Sequence, residues 1–95
     1  MKPPGNLQAP GRKLWRSIVA EFDFDNEPAK QRILADACRV ADVIAELDEA
    51  ADEAPLMVKG STGQPVISPF ISEGRVQRQL LAMLLARLNL AEGAD

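Results

Sequence analysis

Residues 59–70 read KGSTGQPVISPF and separate two stretches whose apolar residues recur at helical spacing. Short β-prone runs lie on both sides of Gly60-Ser61-Thr62-Gly63-Gln64, which predicts a small hairpin. Ser68-Pro69 then marks the start of a helix, with a hydroxyl residue as N-cap and proline in the first turn. This segment therefore divides the chain into two helical parts.

A glycine-rich loop ahead of a helix can alternatively bind phosphate. A loop of the Walker type requires Gly-x-x-x-x-Gly-Lys-Ser/Thr leading directly into the helix. Here Gly63 is followed by Gln64-Pro65, so no lysine is in place and Pro65 lacks a backbone N–H donor. The segment is thus predicted to be a turn and not a nucleotide site.

The hydrophobic spacing predicts a mainly α fold with three helices. The first helix is expected from Gly11 to Phe22, the second from Glu27 to Glu53 and the third from Pro69 to Leu90. Asp25 or Asn26 is expected to cap the second helix. In chain order the architecture is a short helix, a long helix, a small hairpin-like excursion and a Leu-rich C-terminal helix.

The chain length and composition predict one domain with two short flanking segments. Residues 1–10, MKPPGNLQAP, are rich in Pro and Gly and offer almost nothing to bury, so we expect a flexible basic arm. Residues 11–90 are expected to form a single helical domain, followed by a disordered tail over residues 91–95.

The composition argues against most catalytic chemistry. The 95 residues include no histidine and one cysteine, so neither a zinc site nor a His-dependent nucleophile can be assembled. Cys38 lies on an apolar helix face and is expected in the core. The carboxylate pairs Asp23/Asp25 and Asp52/Glu53 can in principle bind Mg²⁺, although such neighbours are usually solvated. We therefore expect no enzyme, no metal and no cofactor.

The charges are distributed unevenly along the chain. Residues 1–20 contain four basic residues and no acidic one, whereas residues 21–54 contain eleven acidic residues against three basic ones. The net charge is −3. Such an uneven charge distribution affects which partners the protein attracts more than it affects the fold.

The second half of the third helix is apolar on nearly every side. A helix of this kind must be buried on every side, and three helices in so short a chain cannot enclose it. We therefore expect subunits to pack against one another there. The candidate interface residues are Leu80, Leu81, Met83, Leu84, Leu85 and Leu88.

Four segments in sequence carry a resemblance to a known family. They are GRKLWRSIVAEF, DFDNEPAKQRILADACRVADVIAELDEA, MVKGSTGQPVISPF and RVQRQLLAMLLARLNL. Their order and spacing resemble the P27 family of bacteriophage terminase small subunits, over about residues 8–90. The chain departs from the family at Ser68, where members often have His, and at Asn89, where Gly is usual.

The resemblance implies a non-catalytic packaging component. Such a protein forms homo-oligomers, typically rings, and binds double-stranded viral DNA in the host cytoplasm, away from any membrane. It delivers that DNA to the terminase large subunit, which supplies the ATPase and nuclease activities.

The basic residues of the chain provide the candidate DNA contacts. An oligomer would multiply a modest basic patch into an effective phosphate-binding surface. The candidates are Lys2, Arg12, Lys13 and Arg16, followed by Arg75 and Arg78. The alternative is a helical adaptor or regulatory protein of a mobile element, acting only through protein–protein contacts made by its acidic second helix.

Overall fold

The computed structural model describes residues 1–90 and contains three helices and one two-stranded sheet. The elements are α1 (Ala9–Val19), α2 (Pro28–Glu53), β1 (Met57–Lys59), β2 (Pro65–Ile67) and α3 (Pro69–Leu88). The mainly α class and the order of the elements are confirmed. The predicted tail over residues 91–95 lies outside the described residues.

The long helix α2 is the axis of the molecule, because both α1 and α3 pack against it. Its 26 residues extend for about 39 Å at 1.5 Å per residue. The chain measures 53 × 26 × 19 Å, and its radius of gyration of 16.4 Å exceeds the roughly 12 Å typical of a compact domain of this length. The fold is therefore elongated.

The core lies at one end of this elongated shape. Trp15 and Ile18 of α1, Leu34 and Cys38 of α2, and Leu88 of α3 are all buried there. Leu7 and Phe24 complete the cluster. Between residues 43 and 87, only Ser68 and Gly74 are buried, so the hairpin end is thinly packed.

Cys38 lies in this core, as its position on the apolar face predicted. Burial, and secondarily the nearby Asp42 carboxylate, raise the pKa of the Cys38 thiol to about 11. The thiol therefore stays protonated at neutral pH and acts as a small core residue.

The first turn of α1 is held by a carboxylate from α2. One Asp42 oxygen accepts the Gln8 backbone N–H at 2.8 Å and the other accepts the Gly11 N–H at 2.7 Å. These donors would otherwise lack partners at the start of a helix. A Cβ on residue 11 would lie 2.7 Å from the Cys38 carbonyl oxygen, so this close approach requires glycine.

The predicted limits of α1 and of the preceding arm need correction. The helix begins at Ala9 and ends at Val19, not at Gly11 and Phe22. Leu7 is only 4% exposed and belongs to the core, so the expectation that residues 1–10 bury almost nothing was wrong at Leu7. The reason is the Asp42 contact, which joins residues more than thirty positions apart in sequence.

The start of α2 also differs from the expectation. Its N-cap is Glu27 and makes no side-chain capping hydrogen bond, so neither Asp25 nor Asn26 caps the helix. Instead, an Asp23 oxygen accepts the Asp25 backbone N–H at 2.9 Å and stabilises the preceding turn.

Ser68 is the N-cap of α3, as predicted, but its hydroxyl forms no capping bond. Its backbone N–H donates to the Leu56 carbonyl at 2.8 Å, which extends the hairpin pairing to the start of the helix. The helix ends at Leu88, two residues before the expected Leu90. Asn89 then adopts a left-handed conformation (φ 57°, ψ 48°), which asparagine tolerates better than most residues.

The hairpin predicted from residues 59–70 is confirmed. Its antiparallel strands pair Met57 with Ile67, Val58 with Val66 and Lys59 with Pro65. The turn is closed by the Gly60 N–H, which donates to the Gln64 carbonyl at 2.7 Å. Within residues 1–90, none of the helices is long and apolar enough to cross a membrane.

Candidate nucleic-acid and self-association surfaces

The exposed side of α1 carries a stripe of positive charge. Gly11, Trp15 and Ile18 are buried on the other side of this helix. Because Arg12 and Lys13 lie four and three residues before Arg16, the three side chains share the exposed side at a Cβ spacing of about 5–6 Å. We call these three residues the α1 basic stripe.

The stripe residues keep their charge available to a partner. Lys13 and Arg16 form no ion pair within residues 1–90. One Arg12 nitrogen donates to the Leu7 carbonyl, which fixes the guanidinium near the helix start. Arginine has five N–H donors, so the remaining ones can still contact an anion.

Lys2 is exposed but has different surroundings from the stripe. Met1, its neighbour in sequence, lines a hollow of about 380 Å³ together with Glu21, Asp23 and Asp25. This places the start of the chain against an acidic surface. Among the predicted phosphate contacts of residues 1–20, Lys2 is thus the least favourable.

The two candidates on α3 have different roles. One Arg78 nitrogen donates to both carboxylate oxygens of Asp48, at 2.7 and 2.6 Å, and so fastens α3 to α2. Arg78 is therefore a paired cation, which makes it a less favourable candidate for DNA contact than Arg75. Arg75 is exposed and forms no ion pair within residues 1–90.

The expected interface residues of α3 divide between the two sides of the helix. Leu88 is fully buried within its own chain, so it is a core residue and not an interface residue. Leu85 packs against the same core. Met83 is 48% exposed, and Leu80 is half-buried beside it. Leu81 and Leu84 are also half-buried.

Val76 belongs to the same exposed apolar surface as Leu80 and Met83, although it was not among the predicted interface residues. It is 52% exposed and lies four residues before Leu80 and seven before Met83, so all three share one helix face. The same spacing is visible in the sequence and was a sufficient signal. The other missed residue is Asp42, an acid placed on an otherwise apolar face of α2 beside Cys38.

The acidic residues do not form a metal centre in the part of the chain that is described. Across residues 1–90, no three Cys, Asp or Glu side chains come together in an arrangement that could hold a metal ion. Near the end of α2, Glu49, Asp52 and Glu53 are exposed and make no ion pair within those residues. This end of α2 is therefore an acidic surface.

Comparison with known proteins gives no match: no protein-family model, curated protein or solved structure is similar to this chain. The basic stripe of α1 and the outer apolar face of α3 therefore carry the functional interpretation.

Proposed function

We propose that this protein is the non-catalytic small subunit of a bacteriophage packaging terminase. In this role it forms a homo-oligomer and binds double-stranded viral DNA. The family resemblance implies that the oligomer is a ring. It then delivers the DNA to the large subunit, which supplies ATPase and nuclease activity. The observation that carries the DNA-binding part is the α1 basic stripe, three exposed cations on a helix without any acid.

The stripe suits contact with phosphates rather than the reading of bases. Duplex DNA carries one negative charge for about every 1.7 Å of its axis, so cations about 5–6 Å apart can each meet a phosphate. Three contacts give weak binding for one chain. Several copies in one assembly would add their stripes and raise the affinity without any new type of contact.

The fold holds the stripe in a fixed orientation. Trp15 and Ile18 bury the opposite face of α1, and the Asp42 carboxylate holds its first turn. Binding therefore does not have to order a flexible helix, which lowers its entropic cost.

The acidic part of α2 favours one orientation of the chain on DNA. Asp52 lies ten residues beyond Asp42, or about 15 Å along the helix axis. Its charge and that of its neighbours repel phosphates, so this end is expected to face away from the duplex.

The salt dependence of DNA binding tests this proposal. Replacement of Arg12, Lys13 and Arg16 by alanine removes up to three phosphate contacts per bound chain. The slope of log K against log salt should therefore become shallower by about 2–3 per chain. The double variant Arg32→Ala/Arg39→Ala is the matched control, because these exposed arginines already pair with Asp36. An unchanged slope in the triple variant would remove the stripe from the mechanism.

A helical adaptor of a mobile element is the second candidate, and the exposed acids near the end of α2 favour it. Glu49, Asp52 and Glu53 could dock on a basic protein surface. The same titration separates the two functions. An adaptor would bind no duplex at low salt but would form a stable complex with a protein. Changing these three acids to lysine would abolish that complex.

A further inference from the structure

The outer face of α3 has the spacing of a coiled-coil seam. Glu73, Val76, Leu80, Met83 and Arg87 follow one another at intervals of three, four, three and four residues. This is the alternation that lets two helices pack along one stripe. Val76 and Met83 are about half exposed, so the chain itself leaves the middle of the stripe open. We call these five residues the α3 outer stripe.

We propose that the α3 outer stripe pairs with the same stripe of a second copy, in antiparallel orientation, about a two-fold axis at Leu80. This inference rests on the self-association in the proposed function and specifies its surface. Leu80 is the midpoint between Glu73 and Arg87, so the axis sets each Glu73 against the partner's Arg87. Val76 then lies level with the partner's Leu84, and Met83 lies level with the partner's Gln77. Leu84 and Gln77 are half-buried residues that border the stripe.

The charges of the stripe select this orientation. Glu73 and Arg87 are exposed at opposite ends of the apolar segment, about 21 Å apart along the helix axis. Antiparallel pairing forms two ion pairs, each between Glu73 of one copy and Arg87 of the other. Parallel pairing would set glutamate against glutamate and arginine against arginine, which is unfavourable.

Both end residues are available for these ion pairs. Arg87 forms no ion pair within residues 1–90. One Glu73 oxygen accepts the Gln77 amide at 2.9 Å, and the second oxygen can accept the partner's guanidinium. Ala86 lies beside Met83 on the exposed side, and its small side chain allows two helices to approach closely.

The two-fold geometry also constrains any larger assembly. A symmetric contact of this type uses the same patch on both chains and therefore closes at two copies. A ring would need a second, different contact and would contain an even number of chains.

Single cysteines test the register directly. The variant Leu80→Cys places two thiols at the axis, so mild oxidation should link most of the protein into a covalent dimer. Val76→Cys is the matched control, because the antiparallel register separates its two copies by about 12 Å along the axis, too far for a disulfide. Cys38 does not compete, since it is fully buried.

Charge exchange at the ends tests the orientation. Sedimentation over a concentration series should show dimer dissociation constants raised roughly tenfold by Glu73→Arg or Arg87→Glu alone. The double variant Glu73→Arg/Arg87→Glu should return to within about threefold of wild type. Circular dichroism melting of each variant confirms that the monomer fold is retained.

Three results would overturn the inference: no covalent dimer from Leu80→Cys, equal cross-linking of Val76→Cys, or no recovery in the double charge variant. DNA binding is read separately. If one of these three results is found while the triple alanine variant of the α1 basic stripe has a shallower salt slope, the α3 pairing is rejected and the proposed function stays intact. An intact α3 dimer with an unchanged slope would reject the DNA-binding role.

Discussion

The two helices that flank α2 differ in what they present to solvent. Both bury one face against α2, but the exposed side of α1 is basic, whereas that of α3 presents Val76 and Met83 at about half exposure. The side chains of α1 are thus well solvated in a single chain. Those of α3 leave apolar surface in water that a second copy would cover. This difference is the reason for proposing the basic side of α1 as the DNA surface and the apolar side of α3 as the self-association surface.

The largest effect is expected from comparing the two sides of α3 itself. Leu88→Ala opens a cavity in the core, so the free energy of unfolding should fall by about 3 kcal/mol. Met83→Ala, at a 48% exposed position, should cost less than about 1 kcal/mol in the monomer. Urea denaturation at low protein concentration measures both. Equal losses would show that Leu88 is not enclosed by its own chain.

The contact between α1 and α2 gives the next effect. In Gly11→Ala the new Cβ would lie 2.7 Å from the Cys38 carbonyl oxygen and 2.8–2.9 Å from the Asp42 carboxylate oxygens. Relief of these contacts should cost about 1–3 kcal/mol and lower the melting temperature. Gly5→Ala is the control, since nothing lies within 4 Å of its Cβ position. Similar melting temperatures for the two variants would contradict the close approach of α1.

The smallest effect is expected at the ion pair between α2 and α3. Arg78→Gln removes an exposed pair with Asp48 and should cost less than about 1 kcal/mol, with the difference shrinking as salt rises. The DNA salt slope should stay unchanged, because Arg78 is already paired. The neighbouring exposed arginine provides the control: Arg75→Gln should leave stability unaltered. A shallower DNA slope for Arg78→Gln would return this residue to the DNA surface.

The parts of the fold set by local patterning could be predicted from the sequence. Hydrophobic spacing located three helices, and the Gly and Pro residues around Gly63 located the hairpin. The burial of Cys38 followed from its position on an apolar face. Each of these features depends on residues that are close together in the chain.

Features set by distant contacts could not be predicted in this way. The early start of α1 depends on Asp42, whose carboxylate reaches the backbone of Gln8 and Gly11 from another helix. The sequence of the second half of α3 predicted more apolar surface than one chain can bury. It did not show that Leu88 would be the leucine buried in the core of its own chain. Likewise, the sequence identified Arg78 as a cation. That it pairs with Asp48 of α2 is seen only in the folded structure.

The most direct test of the central claim, that α3 presents a face for a second copy, is the absolute mass in solution. Light scattering on a size-exclusion column at near-physiological salt measures it for wild-type protein and for Leu80→Glu. We predict a discrete assembly of two or more chains for the wild type and a single chain for the variant. A wild-type protein that remains a folded monomer across the concentration range would contradict the account.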